Sequence, residues 1–307
     1  MNPQPPPQTS INAMNRPQLE ENDPSKSPGA TRSLTEKQLD QLVEWFRPWP
    51  SVIVAYSGGV DSALVSWGAF QALGSSALAV TALSPSVSES DRELSAAVAR
   101  EMGIKHQTIH THEIELAAYR ANAPTRCYFC KSTLYSTIRS KYPASEFPLI
   151  VNGTNLDDLG DHRPGLMAAE EFQIRSPLVE LGYNKQIVRN LAHLAGLTVH
   201  DRPASPCLAS RIAYGVEVTS DRLLRVEQAE KYLRSLGFQE FRVRIEPGEL
   251  ARIELHPEDL TQLVSSPMRE ACVRVLSELG FRQICLDLAG FRSGSHNELI
   301  QLNAASK

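Results

Sequence analysis

A doubly wound parallel α/β sheet followed by a small C-terminal α+β domain is the architecture this sequence predicts. Three observations predict it. Short apolar, β-rich runs (VIVAY at 52–56, ALAVTAL at 77–83, LIV at 149–151) alternate with helical stretches, the pattern of strands buried on both faces. The first of those runs passes through two glycines directly into a helix. Beyond about residue 215 the order changes to helix, hairpin, helix and strand.

The elements follow in order. Residues 1–33 are rich in Pro, Asn, Ser and Gln, lack aromatics and show no hydrophobic period, so they read as a disordered tail without a catalytic role. Residues 34–215 are expected to form the first domain and 216–307 the second. Leu34, Leu39, Leu42, Val43 and Phe46 recur at helical spacing and predict a first helix. A strand over Val52–Tyr56 precedes the turn Ser57-Gly58-Gly59, and Asp61 and Ser62 open a helix whose apolar side carries Leu64, Trp67, Phe70 and Leu73. SDRELSAAVAREMG reads as a helix capped by Ser88 or Ser90 and stopped by Gly103. HQTIH is a weak third strand, and FPLIVNGTNLDDLGD is a strand ending in a polar loop. In the C-terminal part, SDRLLRVEQAEKYLRSLG is an amphipathic helix with a serine cap and a glycine stop. FRVRIEPGELARIEL is a hairpin with Pro-Gly in its turn; a helix around Cys272 and a strand around Cys285 complete the layout. Cys272 reads as core, and neither of these two cysteines is assigned a role.

Composition excludes several classes. The chain of 307 residues has a formal net charge of -4, which argues against a nucleic-acid partner. No secretory leader and no membrane-length apolar run is apparent, so a cytoplasmic protein with no membrane partner is expected. Its five cysteines are then reduced thiols and not a disulfide framework.

The stretch SGGVDS carries the first chemistry. A strand, a glycine turn and a helix N-terminus make an anion site, because free backbone N–H groups and the positive end of the helix dipole face the ligand. Glycines let the backbone approach a phosphate without a Cβ clash. The motif is not a Walker loop, since no Gly-Lys-Ser/Thr follows. Asp61 beside phosphates suits a magnesium ligand; the plain alternative is a glycine turn with an acidic helix start. Strand ends in a doubly wound sheet face the ligand. That adds Gly153, Asn155, Asp157, Asp158 and Asp161 as candidates, although acid-rich loops are commonly just solvated.

PTRCYFCKS (124–132) places Cys127 and Cys130 three apart. A redox pair, half a zinc site, half an iron–sulfur site and coincidence all fit that spacing. The third thiol, Cys207, lies in the Pro-rich stretch PASPCLASRIAYG, followed by Ser210 and Arg211. An arginine there could favour a thiolate. Arg242 and Arg244 alternate with apolar residues, so both face one side of a strand; they suit a phosphate, and a solvated strand face fits equally.

SGGVDSALV, RCYFCKSTLY, GTNLDDLGDHRPGLMAA, PASPCLASRIAYG and LDLAGFRSGSHNE together resemble the LarE family, ATP-dependent sulfur transferases of the PP-loop ATP pyrophosphatase superfamily. The resemblance covers nearly everything after the tail. It implies an adenine nucleotide alpha-hydrolase-like fold and, as substrate, pyridinium-3,5-biscarboxylic acid mononucleotide. A carboxylate is adenylated, pyrophosphate leaves, and sulfur displaces AMP to give a thiocarboxylate of the nickel-pincer nucleotide used by lactate racemase. One branch of the family sacrifices a single cysteine at the position of Cys207; the other has three cysteines able to hold a [4Fe-4S] cluster that carries a sulfide. Cys127, Cys130 and Cys207 resemble the second branch. Asp61 and Cys207 are the implied catalytic residues, with Asp61 also on Mg2+. Ser57, Gly58, Gly59, Ser62, Gly153, Asn155, Asp158, Ser210, Arg211, Arg242 and Arg244 are the expected binding residues for ATP or substrate, with Glu254 beside the arginines. The resemblance also implies a sulfide donor and a homo-oligomer, a hexamer. Zinc stays open as an alternative, with His110, His112, His162 and His200 available as ligands. A tRNA-thiolating PP-loop enzyme and an amide synthetase of the NAD synthetase kind are rival readings; the first usually has Lys where this chain has Val60.

Overall fold

A computed structural model describes residues 33–160 and 164–292. The expected tail, Asp161, His162 and the end of the GFRSGSHNE segment lie outside the described residues.

Four parallel strands form the first sheet: β1 (Val52–Ala55), β2 (Ala77–Leu83), β3 (Lys105–His110) and β4 (Leu149–Val151), in the order β3-β2-β1-β4. Strand order reverses beside β1, which places a crevice at the carboxyl ends of β1 and β4. Every residue of β1 is buried because both faces are covered. Val52 and Val54 enter one apolar layer; Ile53 and Ala55 enter the layer on the opposite face. This is the doubly wound sheet the alternating runs predict.

Local sequence sets the helices. Ser88 caps the helix Glu89–Met102 by accepting from the Asp91 N–H, and Gly103 ends it in the left-handed region. The helix Val60–Leu73 differs from the expected amphipathic one. It is the central helix, with Val60, Ala63, Leu64, Val65 and Ala69 buried around its circumference and Trp67, Phe70 and Leu73 only partly so. In the first helix, Leu34–Phe46, Leu42 and Phe46 reach the core, whereas Leu34 is exposed at the terminus.

Three further strands, β5 (Phe241–Glu246), β6 (Leu250–Leu255) and β7 (Gln283–Leu286), form a second sheet in that order. β5 and β6 are the expected antiparallel hairpin, and β7 joins in parallel. The helix Ser220–Ser235 packs on it, capped by Thr219 and not by serine. Cys272 is in this core, as expected, with Leu276 and Leu233. The same core includes Tyr119, Leu208, Ala209 and Ile212, contributed from before the second sheet. Ala213 N–H bonds Ile245 O at 2.9 Å, and both sheets belong to one compact unit that begins at Leu34.

Candidate active site

β1 delivers the chain into Ser57-Gly58-Gly59 at the crevice. Gly58 has φ 81°, and a Cβ on it would stand 2.8 Å from Ser95 Cα, so only glycine fits. Gly59 starts the central helix with no side-chain cap, leaving the N-terminal turn open to a ligand. Ser62 braces the turn: its hydroxyl donates to Gly59 O at 3.1 Å and accepts from the Ser57 N–H at 3.2 Å. From β4, Gly153 lies against the start of the same helix; a Cβ there would be 2.6 Å from Ser62 N.

These segments line a cleft of about 290 Å³ whose wall includes Ser57, Asp61, Ser62, Gly153 and Asp158. Asn155 Nδ2 donates to one Asp61 oxygen at 2.9 Å, and Lys185 pairs with the other. The Asn155 N–H donates to Asp158 at 3.0 Å, and Asp157 caps the Lys185 N–H at 3.0 Å. Asn155, Asp157 and Asp158 thus organise one loop around Asp61. Lys185 had no sequence signal, because the residue that pairs with Asp61 arrives from 124 positions away. No group of three or more His, Cys, Asp or Glu side chains able to hold a single metal ion occurs among the described residues. Magnesium does not require one: it is commonly held by one or two carboxylates together with substrate phosphates, and two carboxylates, Asp61 and Asp158, are in the cleft lining.

The CxxC stands on a helix, Arg126–Lys141; Cys127 and Cys130 are one turn apart at its start. Cys207 does lie in an irregular stretch, directly before a short 3-10 turn at Leu208–Arg211. The three thiols share one electrostatic neighbourhood. Burial pushes the Cys130 thiol up to about 12, with Glu113, Cys207 and Cys127 adding to the shift. Cys127 and Cys207 are exposed. Thiolates are ligands for iron–sulfur groups and for zinc alike; among the described residues the three thiols are not gathered into a one-ion site.

Arg126, the residue before Cys127, holds this arrangement and was not singled out from the sequence. Its buried guanidinium donates to Asn122 Oδ1 at 2.5 Å and to Ala209 O at 2.7 Å, two residues after Cys207. Asn122 in turn donates to Ala213 O and Val216 O, each at 2.9 Å. Ser210 and Arg211 follow Cys207: the Ser210 hydroxyl and Arg211 both donate to Cys207 O, and Arg211 makes a buried pair with Glu230 at 3.1 Å. Arg244 is buried against Glu254 at 2.7 Å and donates to Ser210 O at 3.0 Å, so this strand face is not solvated. Arg242, beside Arg211 and Arg244, lies over the Phe291 ring, and burial lowers its pKa. Ser210, Arg211, Arg242 and Arg244 are therefore brought together around the Cys207 segment. They do not line the cleft that holds Asp61.

Cleft and fold define an α/β enzyme domain of the PP-loop type, and residues 34–156 match the family model for NAD synthase. Over 260 residues the chain is 35% identical to the pyridinium-3,5-bisthiocarboxylic acid mononucleotide synthase of Lactiplantibacillus plantarum, covering 84% of this chain and 93% of that one. It is 43% identical to an uncharacterized protein of Synechocystis sp. over 87% of this chain and 99% of that protein. An uncharacterized protein of Methanocaldococcus jannaschii is 30% identical, covering 84% and 96%. The chain belongs to the LarE family.

Proposed function

We propose that this enzyme uses ATP to convert carboxylates of pyridinium-3,5-biscarboxylic acid mononucleotide into thiocarboxylates. The observation that carries the reading is the juxtaposition of a PP-loop cleft with a three-thiol site: Lys131 lines the cleft and directly follows Cys130. An amide synthetase needs no such thiols. The name of the L. plantarum relative supplies the substrate.

A carboxylate is a poor electrophile, so it first attacks the α-phosphorus of ATP and releases pyrophosphate. The open helix start after Gly59 and the amides of the turn would hold the departing phosphates. Asp61, with Asp158 nearby, would hold magnesium, the ion exchanging with Lys185 at the Asp61 carboxylate. A sulfur nucleophile then attacks the acyl carbon and expels AMP. Cys127, Cys130 and Cys207 would hold the [4Fe-4S] cluster, which when bound supplies an iron open to an external sulfide. Arg126 ties the start of the CxxC helix to Ala209, two residues after Cys207. Arg242, with Arg244 and Arg211 behind it, is assigned to the phosphate of the mononucleotide. The sulfide donor, homo-oligomeric assembly and cytoplasmic location belong to the same proposal; no helix of the described residues is long and apolar enough to cross a membrane.

Pyrophosphate release measured side by side with the pyridinium dicarboxylate mononucleotide, bulk tRNA and nicotinate adenine dinucleotide tests the reading. Release driven by the first alone, with a thiocarboxylate product by mass, is expected. Release driven by tRNA or by the dinucleotide with ammonia would replace it.

A further inference from the structure

Lys131 links the cleft to the CxxC helix but has been given no chemical role so far. It lies on the helix Arg126–Lys141, one residue after the second thiol, and its side chain lines the cleft that holds Ser57, Asp61 and Gly153. It is the sole cation of that lining among the described residues; Asp61 and Asp158 are its two carboxylates. Asp61 already has Lys185. Lys131 forms no hydrogen bond or ion pair among the described residues, and its electrostatic neighbours are Tyr135 and the thiols Cys130, Cys127 and Cys207, not a carboxylate. It is only half-exposed, and Gly165 closes over its stem: a Cβ on Gly165 would be 3.2 Å from Lys131 Cγ.

An ammonium set in a cleft wall without an internal counter-ion leaves its charge for a ligand. The Ser57–Ser62 turn in the same lining has backbone amides suited to the terminal phosphates. Lys131 directly follows Cys130, and in the proposed reaction sulfur must meet the acyl group carried on the α-phosphate, so the phosphate that stays with the adenylate belongs at this wall. We infer that Lys131 is the cation that binds the α-phosphate of ATP and of the acyl-adenylate. This rests on the cleft binding ATP, and for its kinetic part on the proposed function.

The role follows from charge. The incoming carboxylate and the α-phosphate are both anionic. As the bond between carboxylate oxygen and α-phosphorus forms and the bond from α-phosphorus to the bridging oxygen breaks, pyrophosphate takes the electron pair. The ammonium offsets the repulsion of the approach. It then fixes the mixed anhydride with its acyl carbon toward the thiols, so that expulsion of AMP occurs where sulfur is available. Lysine suits this as a compact point charge.

The test uses the full chain and the variants Lys131→Met and Lys131→Arg. AMP carries the α-phosphate alone, so AMP affinity by calorimetry reads the contact without any assumption about the second substrate. Met should weaken AMP at least about ten-fold and cut pyrophosphate release about a hundred-fold. Arg should restore AMP affinity to within a few-fold while leaving turnover impaired. Both variants should melt within a few degrees of wild type. AMP bound by the Met variant within two-fold of wild type overturns the assignment, whatever happens to turnover. Wild-type chain that releases no pyrophosphate with the pyridinium substrate, while the Met variant still loses AMP, overturns the proposed substrate and leaves Lys131 on the α-phosphate.

Discussion

The nucleotide cleft and the thiol site are built in opposite ways. The cleft is mostly one contiguous motif. Ser57 to Ser62 form strand end, turn and helix start, with Gly153 so close that a Cβ on it would stand 2.6 Å from Ser62 N, and a local loop around Asn155. The thiol site is assembled from segments 80 residues apart, Cys127 and Cys207, by a buried arginine that bonds carbonyl and amide oxygens. The cleft's geometry is therefore set by backbone that has few alternatives. The thiol site depends on a side-chain network, and a network fails when one member is removed.

Four substitutions sharpen or break that contrast. Asp61→Ala should have the largest effect, reducing pyrophosphate release about a thousand-fold or more with the fold retained, because the phosphate-side charge is lost while the backbone turn remains. Near-normal release would remove Asp61 from the site. Arg126→Gln should destabilise the protein by about 2–3 kcal/mol, the cost of two charge-assisted hydrogen bonds in a buried place. Its signature should be loss of sulfur transfer with pyrophosphate release still measurable; equal loss of both would mean the two regions are one unit. Gly153→Ala should cost about 1–3 kcal/mol by overpacking against the Ser62 amide. Unlike the Arg126 change, it should depress ATP affinity first, as calorimetry with ATP would show. The smallest effect is expected at Glu249, whose hydrogen bonds from Arg222 hold its carboxyl below the usual range, with the charges of Arg222 and Arg225 adding. A lowered folded-state value means the stabilisation is present above the usual carboxylate range and is lost as pH falls from there through the lowered value. Glu249→Gln should therefore lower the melting temperature at pH 7 by the equivalent of about 1 kcal/mol or less, with the difference vanishing in acid. A difference that stays constant down to the acid end of the folded range would assign the effect to packing.

The same contrast explains what could be read from the sequence. The sheet was legible because β1 and β2 are buried on both faces, and such strands are continuous apolar runs. Ser88 and Gly103 were legible as start and stop signals whose chemistry is local. The central helix was misjudged: a helix covered on all sides has no apolar stripe to find. The CxxC helix was missed because Tyr128 and Phe129 between the thiols give no helical period. Thr219, one residue before the favoured serine, took the cap. Within the site, Asp61 was visible through its motif, but Lys185, Arg126 and Lys131 were not. Each is an isolated cation in sequence, and only the fold decides whether it meets Asp61, the Cys207 segment or the wall of the cleft.

The claim that joins the two regions is that sulfur comes through Cys127, Cys130 and Cys207 together, and not out of Cys207. Intact-mass measurement of anaerobically reconstituted chain after turnover with ATP, magnesium, the pyridinium dicarboxylate and supplied sulfide tests it directly. An unchanged chain mass, more than one thiocarboxylate formed per chain, about four irons bound before turnover, and loss of iron and sulfur transfer in each of Cys127→Ala, Cys130→Ala and Cys207→Ala are predicted. A chain lighter by one hydrogen sulfide with dehydroalanine at position 207, and full activity in the two CxxC variants, would contradict it.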